Sequence, residues 1–393
     1  MLVLSALFLA GLLAETEEPY AWPLNQPRAL TSSFGEYRTD RFHMGIDLRT
    51  GPIGKAVFAA ESGYVARVRC SPFGYGKVVY VQLDDGNMAI YAHLSDFMPE
   101  LRRFVRRAQH DRKNYTVDLY PDPGAFRVER GQEIAKSGQT GIGVPHLHWE
   151  IRNSAGVPVN PRLLGMSWPD SSAPRVRSVL LIPTTPDTRI NGDYLPVVVP
   201  MRRKGTDGYV ADSVRVRGSV ALGIDVYDPA NGGASKLGVH RIVTRVDGEL
   251  VFEMVHDEIG YDHAGDGVVA YHPYFRNRGK FLMQWAWPGV ATELYRSEGG
   301  DGKILVEDEP RSVVVEATDF FDRSVRATIL LESDVDASVT TVGDTSSGVG
   351  RVFYDSVGDW LVITVAFSDA EDTIPVLLES GSPSTLERRW ACA

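Results

Sequence analysis

Two short histidine motifs stand out because their residue types and spacing are suited to holding a metal ion. His43 and Asp47 form a His-x-x-x-Asp motif, and His146 and His148 form a His-x-His motif. Residues two apart on a strand point to the same face, so the two imidazoles of the second motif would lie side by side. Each imidazole needs hydrogen-bond partners there, and protonating both would create repulsion. A bound metal ion removes both difficulties.

The ligand types also indicate which kind of metal site this would be. Two histidines and one aspartate leave a fourth tetrahedral position for water, which is typical of catalytic rather than structural zinc sites. Gly45 and Ile46 favour an extended or loop conformation between His43 and Asp47, and no His-Glu-x-x-His motif is present. His-x-His alone is a weak signal, because a histidine in a strand is usually structural. The combination of the two motifs with glycine-flanked turns is a strong one.

Three longer segments surround these residues. The first, SSFGEYRTDRFHMGIDL, contains the His-x-x-x-Asp motif. The second, GYGKVVYVQLDDGNMAIYAHLSDF, contains His93, and the third, VERGQEIAKSGQTGIGVPHLHWEIR, contains the His-x-His motif. In this order they resemble the lysostaphin/LytM-type zinc metallopeptidases, which hydrolyse peptide bonds of bacterial peptidoglycan. The similarity extends from about Ser32 to Pro161. It implies a small antiparallel β-sheet core with a metal groove, Zn²⁺ as the cofactor and peptidoglycan peptides as the substrate.

The resemblance also implies a role for each histidine of the motifs. His43, Asp47 and His148 correspond to the zinc ligands, and His93 and His146 correspond to two catalytic histidines that do not bind the metal. None of the five is replaced, which argues for a secreted zinc metalloendopeptidase. The alternative is a catalytically silent module that binds the cell wall or activates a hydrolase. A cytoplasmic phosphocarrier also uses two close histidines, but the apolar leader and Asp47 oppose that interpretation.

Alternating hydrophobic residues predict an all-β fold around these positions. Strands are expected at Lys77–Gln82, Met88–Tyr91 and His146–Arg152. One amphipathic helix with a basic face is expected within Asp96–Lys113, inserted after His93. We therefore predict a small antiparallel metallopeptidase sheet with one inserted helix, followed by an Ig-like β-sandwich and a short β segment at the C-terminus.

Composition shifts along the chain predict its organisation. The stretch LLGMSWPDSSAP, residues 163–174, has the Ser, Pro and Asp enrichment of a linker, and a second Ser/Thr/Gly-rich stretch follows residue 333. The predicted units are a signal peptide at 1–14, a LytM-like peptidase domain at 23–166, an Ig-like β-sandwich at 174–333, a linker at 334–350 and a partial or packing β segment at 351–393.

The net charge limits the classes of partner that the protein can bind, and the N-terminal leader indicates where the protein is located. The net charge of the 393-residue chain is −10, which argues against nucleic-acid binding. The leader MLVLSALFLAGLLA is too short to span a bilayer comfortably but suits a signal peptide, so we expect a secreted protein of the periplasm, cell envelope or extracellular space. No integral membrane span is expected after its removal. Two cysteines exclude a disulfide framework, and the sequence does not define the oligomeric state.

Overall fold

The structure is a computed structural model. It describes residues 18–38, 41–185, 187–193, 195–230, 235–272, 275, 277–287, 294–296 and 300–334, and the backbone of three strands between 349 and 378. The predicted signal peptide at 1–14 lies outside the described residues, as does most of the predicted linker at 334–350. No described helix is long and apolar enough to cross a membrane.

Up to residue 173 the regular structure of the described chain consists of short strands and one helix. The strands are β1 (Leu30–Ser32), β2 (Tyr37–Arg38), β3 (Arg41–Phe42), β4 (Ile46–Leu48), β5 (Ala56–Phe58), β6 (Gly63–Cys70), β7 (Lys77–Leu83), β8 (Met88–Ala92), β9 (Asp96–Phe97), β10 (Val117–Leu119), β11 (Arg127–Val128), β12 (Glu133–Lys136), β13 (Leu147–Arg152) and β14 (Pro158–Val159). The main sheet has the order β1-β4-β13-β8-β7-β6-β10 with antiparallel neighbours, and β5-β12-β9 form a second small sheet. The predicted antiparallel core is confirmed.

One helix, α1 (Pro99–Arg112), interrupts the strands between β9 and β10, where the inserted helix was predicted. Proline occupies the start of the helix, where its missing N–H costs nothing. Lys113, with φ of 48°, ends the helix in the left-handed conformation. Leu101 and Val105 are buried, so the helix packs its apolar side inward and turns its arginines outward.

The second half of the chain forms a larger β assembly. Its strands are β15 (Arg175–Pro183), β16 (Arg189–Ile190), β17 (Val197–Pro200), β18 (Arg202–Lys204), β19 (Gly208–Val210), β20 (Val214–Pro229), β21 (Lys236–Leu237), β22 (Arg241–Val246), β23 (Glu249–Val255), β24 (Phe281–Met283), β25 (Ile304–Val306), β26 (Arg311–Thr318) and β27 (Ser324–Ser333), with a short helix α2 (Gly267–Ala270). The main order is β17-β15-β20-β27-β26-β22-β23. Pairs are antiparallel except that β27 runs parallel to β19 and β20. The all-β class is confirmed, and the Ig-like arrangement stays a prediction.

The last strands, β28 (Val349–Val357), β29 (Trp360–Phe367) and β30 (Thr373–Leu378), pair antiparallel in a three-stranded sheet. They begin two residues before the β segment predicted at 351–393 and otherwise lie within it.

The stretch between the two β assemblies packs more closely than its composition predicted. Met166 and Trp168 are buried, and Trp168 makes an edge-to-face contact with Phe321 at a ring-centroid distance of 5.3 Å. A continuous cluster of buried apolar side chains includes residues of both assemblies. The Ser, Pro and Asp residues of this stretch are the basis of the linker prediction. Burial of its two large apolar side chains, Met166 and Trp168, explains why the stretch packs against the rest of the protein.

Candidate metal centre

Three neighbouring strands of the main sheet bring the predicted site residues together. On β13, His148 lies opposite Asp47 of β4 on one side and opposite Ala92 of β8 on the other. Directly opposite residues of antiparallel strands share a face, so the side chains of Asp47 and His148 meet. His93 follows the end of β8, and its φ of 59° places it in the left-handed region. Such strained positions cluster at functional sites.

The loop between His43 and Asp47 depends on a glycine for close approach. A Cβ atom on Gly45 would lie 2.5 Å from the carbonyl oxygen of Trp149 and 3.1 Å from His148 Cε1. Only a residue without a side chain therefore lets this loop reach β13. The extended conformation predicted for this motif is present, since β4 begins at Ile46.

The donor atoms of His43, Asp47 and His148 converge on one point. His43 Nε2 lies 3.1 Å from Asp47 Oδ1 and 3.0 Å from His148 Nδ1, and the latter two atoms are 2.9 Å apart. Zinc at about 2.0–2.1 Å from each ligand would space tetrahedral neighbours by about 3.3 Å, so this donor set fits the ion after a slight expansion. The three residues are 5% exposed each. We call them the His–Asp–His centre.

Each residue of the His–Asp–His centre has its outer atom held by the protein. His43 Nδ1 donates to the carbonyl oxygen of Ser33 at 2.7 Å. His148 Nε2 lies 2.9 Å from Glu150 Oε1, and Asp47 Oδ2 accepts from Arg38 Nη2 at 2.5 Å. Partners of this kind fix the orientation of ligands and leave the inner atoms for the metal.

Charge is strongly organised around the centre. Burial opposes ionisation of Asp47, but His43 and His148 outweigh it and hold the pKa of Asp47 well below its usual value. Burial also opposes a charge on His148, yet Asp47 and Glu150 raise the pKa of His148 to about 9. Against its own burial, the contacts of Glu150 with His148 and Arg152 lower its pKa to about 2. A cation entering the centre would replace the proton on His148.

His93 and His146 lie beside the centre as a pair. Their ring centroids are 4.6 Å apart, and His146 Nε2 lies 3.6 Å from Asp47 Oδ1. Each ring donates its Nδ1–H to a backbone carbonyl, His93 to Thr140 at 2.9 Å and His146 to Val144 at 2.8 Å. Burial lowers the pKa of His93 to about 3 and also lowers the pKa of His146. Both rings are therefore neutral at pH 7, with Nε2 as the nitrogen that can accept a proton.

Three contributors to the site were not identified from the sequence. Arg38 binds the outer oxygen of Asp47, and Tyr75 donates to the carboxylate of Glu150. Tyr261, from the second half of the chain, donates to Glu150 Oε2 at 3.0 Å. For Arg38, the signal in the sequence was a positive charge only 9 positions before Asp47. Nothing in the sequence pairs Tyr261 with a residue 111 positions away.

Comparison with known proteins places this site in a family. Residues 41–110 match Peptidase family M23, a segment that includes His43, Asp47 and His93. This segment of the chain therefore matches an M23 peptidase domain, and the resemblance to lysostaphin/LytM-type metallopeptidases is confirmed.

Two curated relatives match less than half of this chain, and the chain spans 22% of the length of each. The cell division protein DipM of Caulobacter vibrioides is 27% identical over 161 residues, 39% of this chain and 22% of DipM. The outer membrane antigenic lipoprotein B of Haemophilus influenzae is 30% identical over 114 residues, 29% of this chain and 22% of the relative. The catalytic domain of the prophage-encoded M23 protein EnpA of Enterococcus faecalis is 27% identical, covering 35% of this chain and 90% of that domain with a TM-score of 0.26.

Proposed function

We propose that the protein is a secreted zinc metalloendopeptidase of the cell envelope that hydrolyses peptide bonds in the stem peptides or cross-bridges of peptidoglycan. Membership of its domain in family M23 supports a peptidoglycan-related hydrolase or an M23-like module. The observation that carries the finer proposal is the convergence of the three donor atoms of the His–Asp–His centre next to two neutral histidines.

The ligand set defines what a metal would contribute. His43, Asp47 and His148 would hold Zn²⁺, which supplies a bound water of lowered pKa and polarises a peptide carbonyl. Arg38 and Glu150 orient the two ligands that they contact. The low exposure of the centre keeps bulk water away, which strengthens electrostatic interactions there.

His93 and His146 would move the protons of the hydrolysis. Each ring has its Nδ1–H held by a backbone carbonyl, so Nε2 can accept a proton and later donate it to the leaving amine. The imidazolium formed in this way can also stabilise a developing oxyanion. The rigid anchoring of both rings holds them in position throughout.

The test is digestion of purified peptidoglycan by the full-length protein, with and without a chelator, with the fragments identified by mass. We expect the His148→Ala variant to lose zinc binding and all fragment release. We expect the His93→Ala variant to keep zinc and to lose about 10²–10⁴-fold in turnover. His110→Ala is the matched control, because that histidine of α1 is 91% exposed and should have no effect.

The catalytically silent alternative gives a different result. A zinc-loaded protein that binds peptidoglycan and releases no fragment would support it and contradict the proposed hydrolysis. Full lytic activity in the His148→Ala variant would refute the assignment of that ligand.

A further inference from the structure

A second group of metal-binding side chains lies far from the His–Asp–His centre. It consists of Asp170 before β15, Asp228 near the end of β20 and Asp319 after β26, which we call the aspartate triad. One carboxylate oxygen from each residue lies within 4.8 Å of the others. An ion at about 2.4 Å from three oxygens can contact all of them when they are at most about 4.2 Å apart, so the triad needs no more than a small contraction to hold one calcium ion.

The triad is buried, which makes its charge costly. Asp319 is 0% exposed, Asp228 is 1% exposed and the side chain of Asp170 is 4% exposed. Isolated buried carboxylates are unfavourable unless they are paired or bind a cation. Arg323 is the basic side chain paired with the triad, with its Nη1 3.3 Å from Asp319 Oδ2 and 3.8 Å from Asp170 Oδ2. One guanidinium balances one negative charge, whereas the three carboxylates would carry three if all were ionised.

Asp228 gives the independent indication of a missing ligand. Its Oδ1 is buried and has no hydrogen-bond partner among the described residues. The Asp228 side chain hydrogen-bonds Asp170 and lies near Asp319, while its Oδ1 has no donor. Burial, together with the charges of Asp170 and Asp319, raises the pKa of Asp228 to about 8. A buried acceptor without a donor costs about 1–3 kcal/mol, which a bound cation would relieve.

The remaining oxygens of the triad are already fixed by the backbone. Asp319 Oδ1 accepts the N–H groups of Phe321 at 2.7 Å and Arg323 at 2.9 Å. Asp170 Oδ1 accepts the N–H of Ser172 at 2.9 Å. These contacts hold the carboxylates in place before any ligand arrives.

We propose that the aspartate triad binds a hard divalent cation, calcium, which ties the segment after the peptidase sheet to the second β assembly. The ligands are all oxygen, with no histidine or cysteine among them, which favours Ca²⁺ over Zn²⁺. Mg²⁺ requires near-ideal octahedral geometry and retains several waters, which suits a buried site with three protein carboxylates less well than the flexible coordination of Ca²⁺ does. Because Asp170 comes from the connecting segment and its two partners from the β assembly, the ion would act as a structural clamp.

The test uses the full-length protein stripped of metal, reloaded with one equivalent of Zn²⁺ and titrated with CaCl₂. We expect the melting temperature to rise on the order of a few °C once Ca²⁺ exceeds its dissociation constant a hundredfold. Terbium should bind in the same place, with luminescence sensitised by Trp168, two residues from Asp170 in the chain. MgCl₂ at equal concentration should produce a smaller rise.

Variants separate the triad from non-specific effects. Asp228→Asn keeps the shape of the side chain and removes a buried charge, so it should fold, with a metal-free melting temperature at or above that of the wild type, and lose the Ca²⁺ response. Asp170→Asn is the second variant, and Asp212→Asn, whose side chain is 77% exposed on the same β assembly, should respond like the wild type. No rise in the wild type up to 5 mM Ca²⁺, an equal rise with Mg²⁺, or an unchanged response in Asp228→Asn would each overturn the proposal.

Discussion

The Glu150→Gln substitution tests how the protein prepares His148 for a metal. Glu150 is 0% exposed, and its carboxylate contacts His148 Nε2, the Arg152 guanidinium and the hydroxyl groups of Tyr75 and Tyr261. Glutamine keeps the shape of the side chain but removes the charge and replaces one acceptor oxygen with a donor. One of the four surrounding donors must then lose its partner.

The expected magnitude follows from these contacts. Loss of a partner that orients a metal ligand typically weakens zinc binding about 10–100-fold, equivalent to about 1.4–2.7 kcal/mol. The metal-free protein should be destabilised as well. The pKa of Glu150 falls from 4.5 to about 2 in the fold, which corresponds to about 3 kcal/mol of stability at neutral pH. A buried donor left unpaired gives a similar cost, about 1–3 kcal/mol.

Two measurements separate the effects. Competition with a chromophoric chelator gives the zinc dissociation constant, and denaturant unfolding of the metal-free protein gives its stability. The matched control is Glu133→Gln, since that side chain is 47% exposed and pairs only with Lys136 at the surface. A folded Glu150→Gln protein whose zinc affinity stays within twofold of the wild type would refute the orienting role of Glu150.

Three further outcomes are expected. Tyr261→Phe removes one donor to Glu150 and should lower the stability by about 1 kcal/mol, with zinc affinity reduced a few-fold; unchanged values of both in the same assays would contradict the contact. Burial and the nearby charge of His240 lower the pKa of His256 to about 4, outweighing the opposing effect of Asp257. The folded protein thus resists protonation there, so its stability should be full above pH 6.5 and fall by about 3 kcal/mol towards pH 4. In His256→Phe, the free energy of unfolding should lose this part of its pH dependence between pH 6.5 and pH 4. A pH dependence identical to that of the wild type would refute the prediction. A Cβ on Gly138 would lie 2.5 Å from a backbone nitrogen and 2.7 Å from the carbonyl oxygen of His93. Gly138→Ala should therefore shift His93 and lower turnover without releasing zinc. Metal analysis and activity measured on the same sample test this.

Local sequence patterns predicted the parts of the structure that depend on neighbouring residues. Two-residue periodicity identified β13, and it placed His146 and His148 on one side, where both contact Asp47. The 3.6-residue spacing identified α1 almost to its ends. In each case the side chains that define the pattern are those that enter the core.

Contacts between distant parts of the chain were not predictable in this way. Arg38 with Asp47 and Tyr261 with Glu150 depend on how loops approach the sheet, which no local period records. The aspartate triad joins residues from three separate elements, so it exists only in the folded chain. Composition predicted a linker at the stretch containing Trp168, whereas the burial of Trp168 depends on distant residues such as Phe321.

The loop that leads to His43 packs on the second half of the chain, and this has a consequence for shortened versions of the protein. A Cβ on Gly35 would lie 2.4 Å from the ring of His256, and Tyr37 packs on Tyr271 with ring centroids 4.7 Å apart. The second half of the chain thus supplies contacts that fix the conformation of this loop. A fragment ending after the first β assembly would lose these contacts together with Tyr261, and would be a poor substitute for the full-length protein in crystallisation or in measurements of zinc binding.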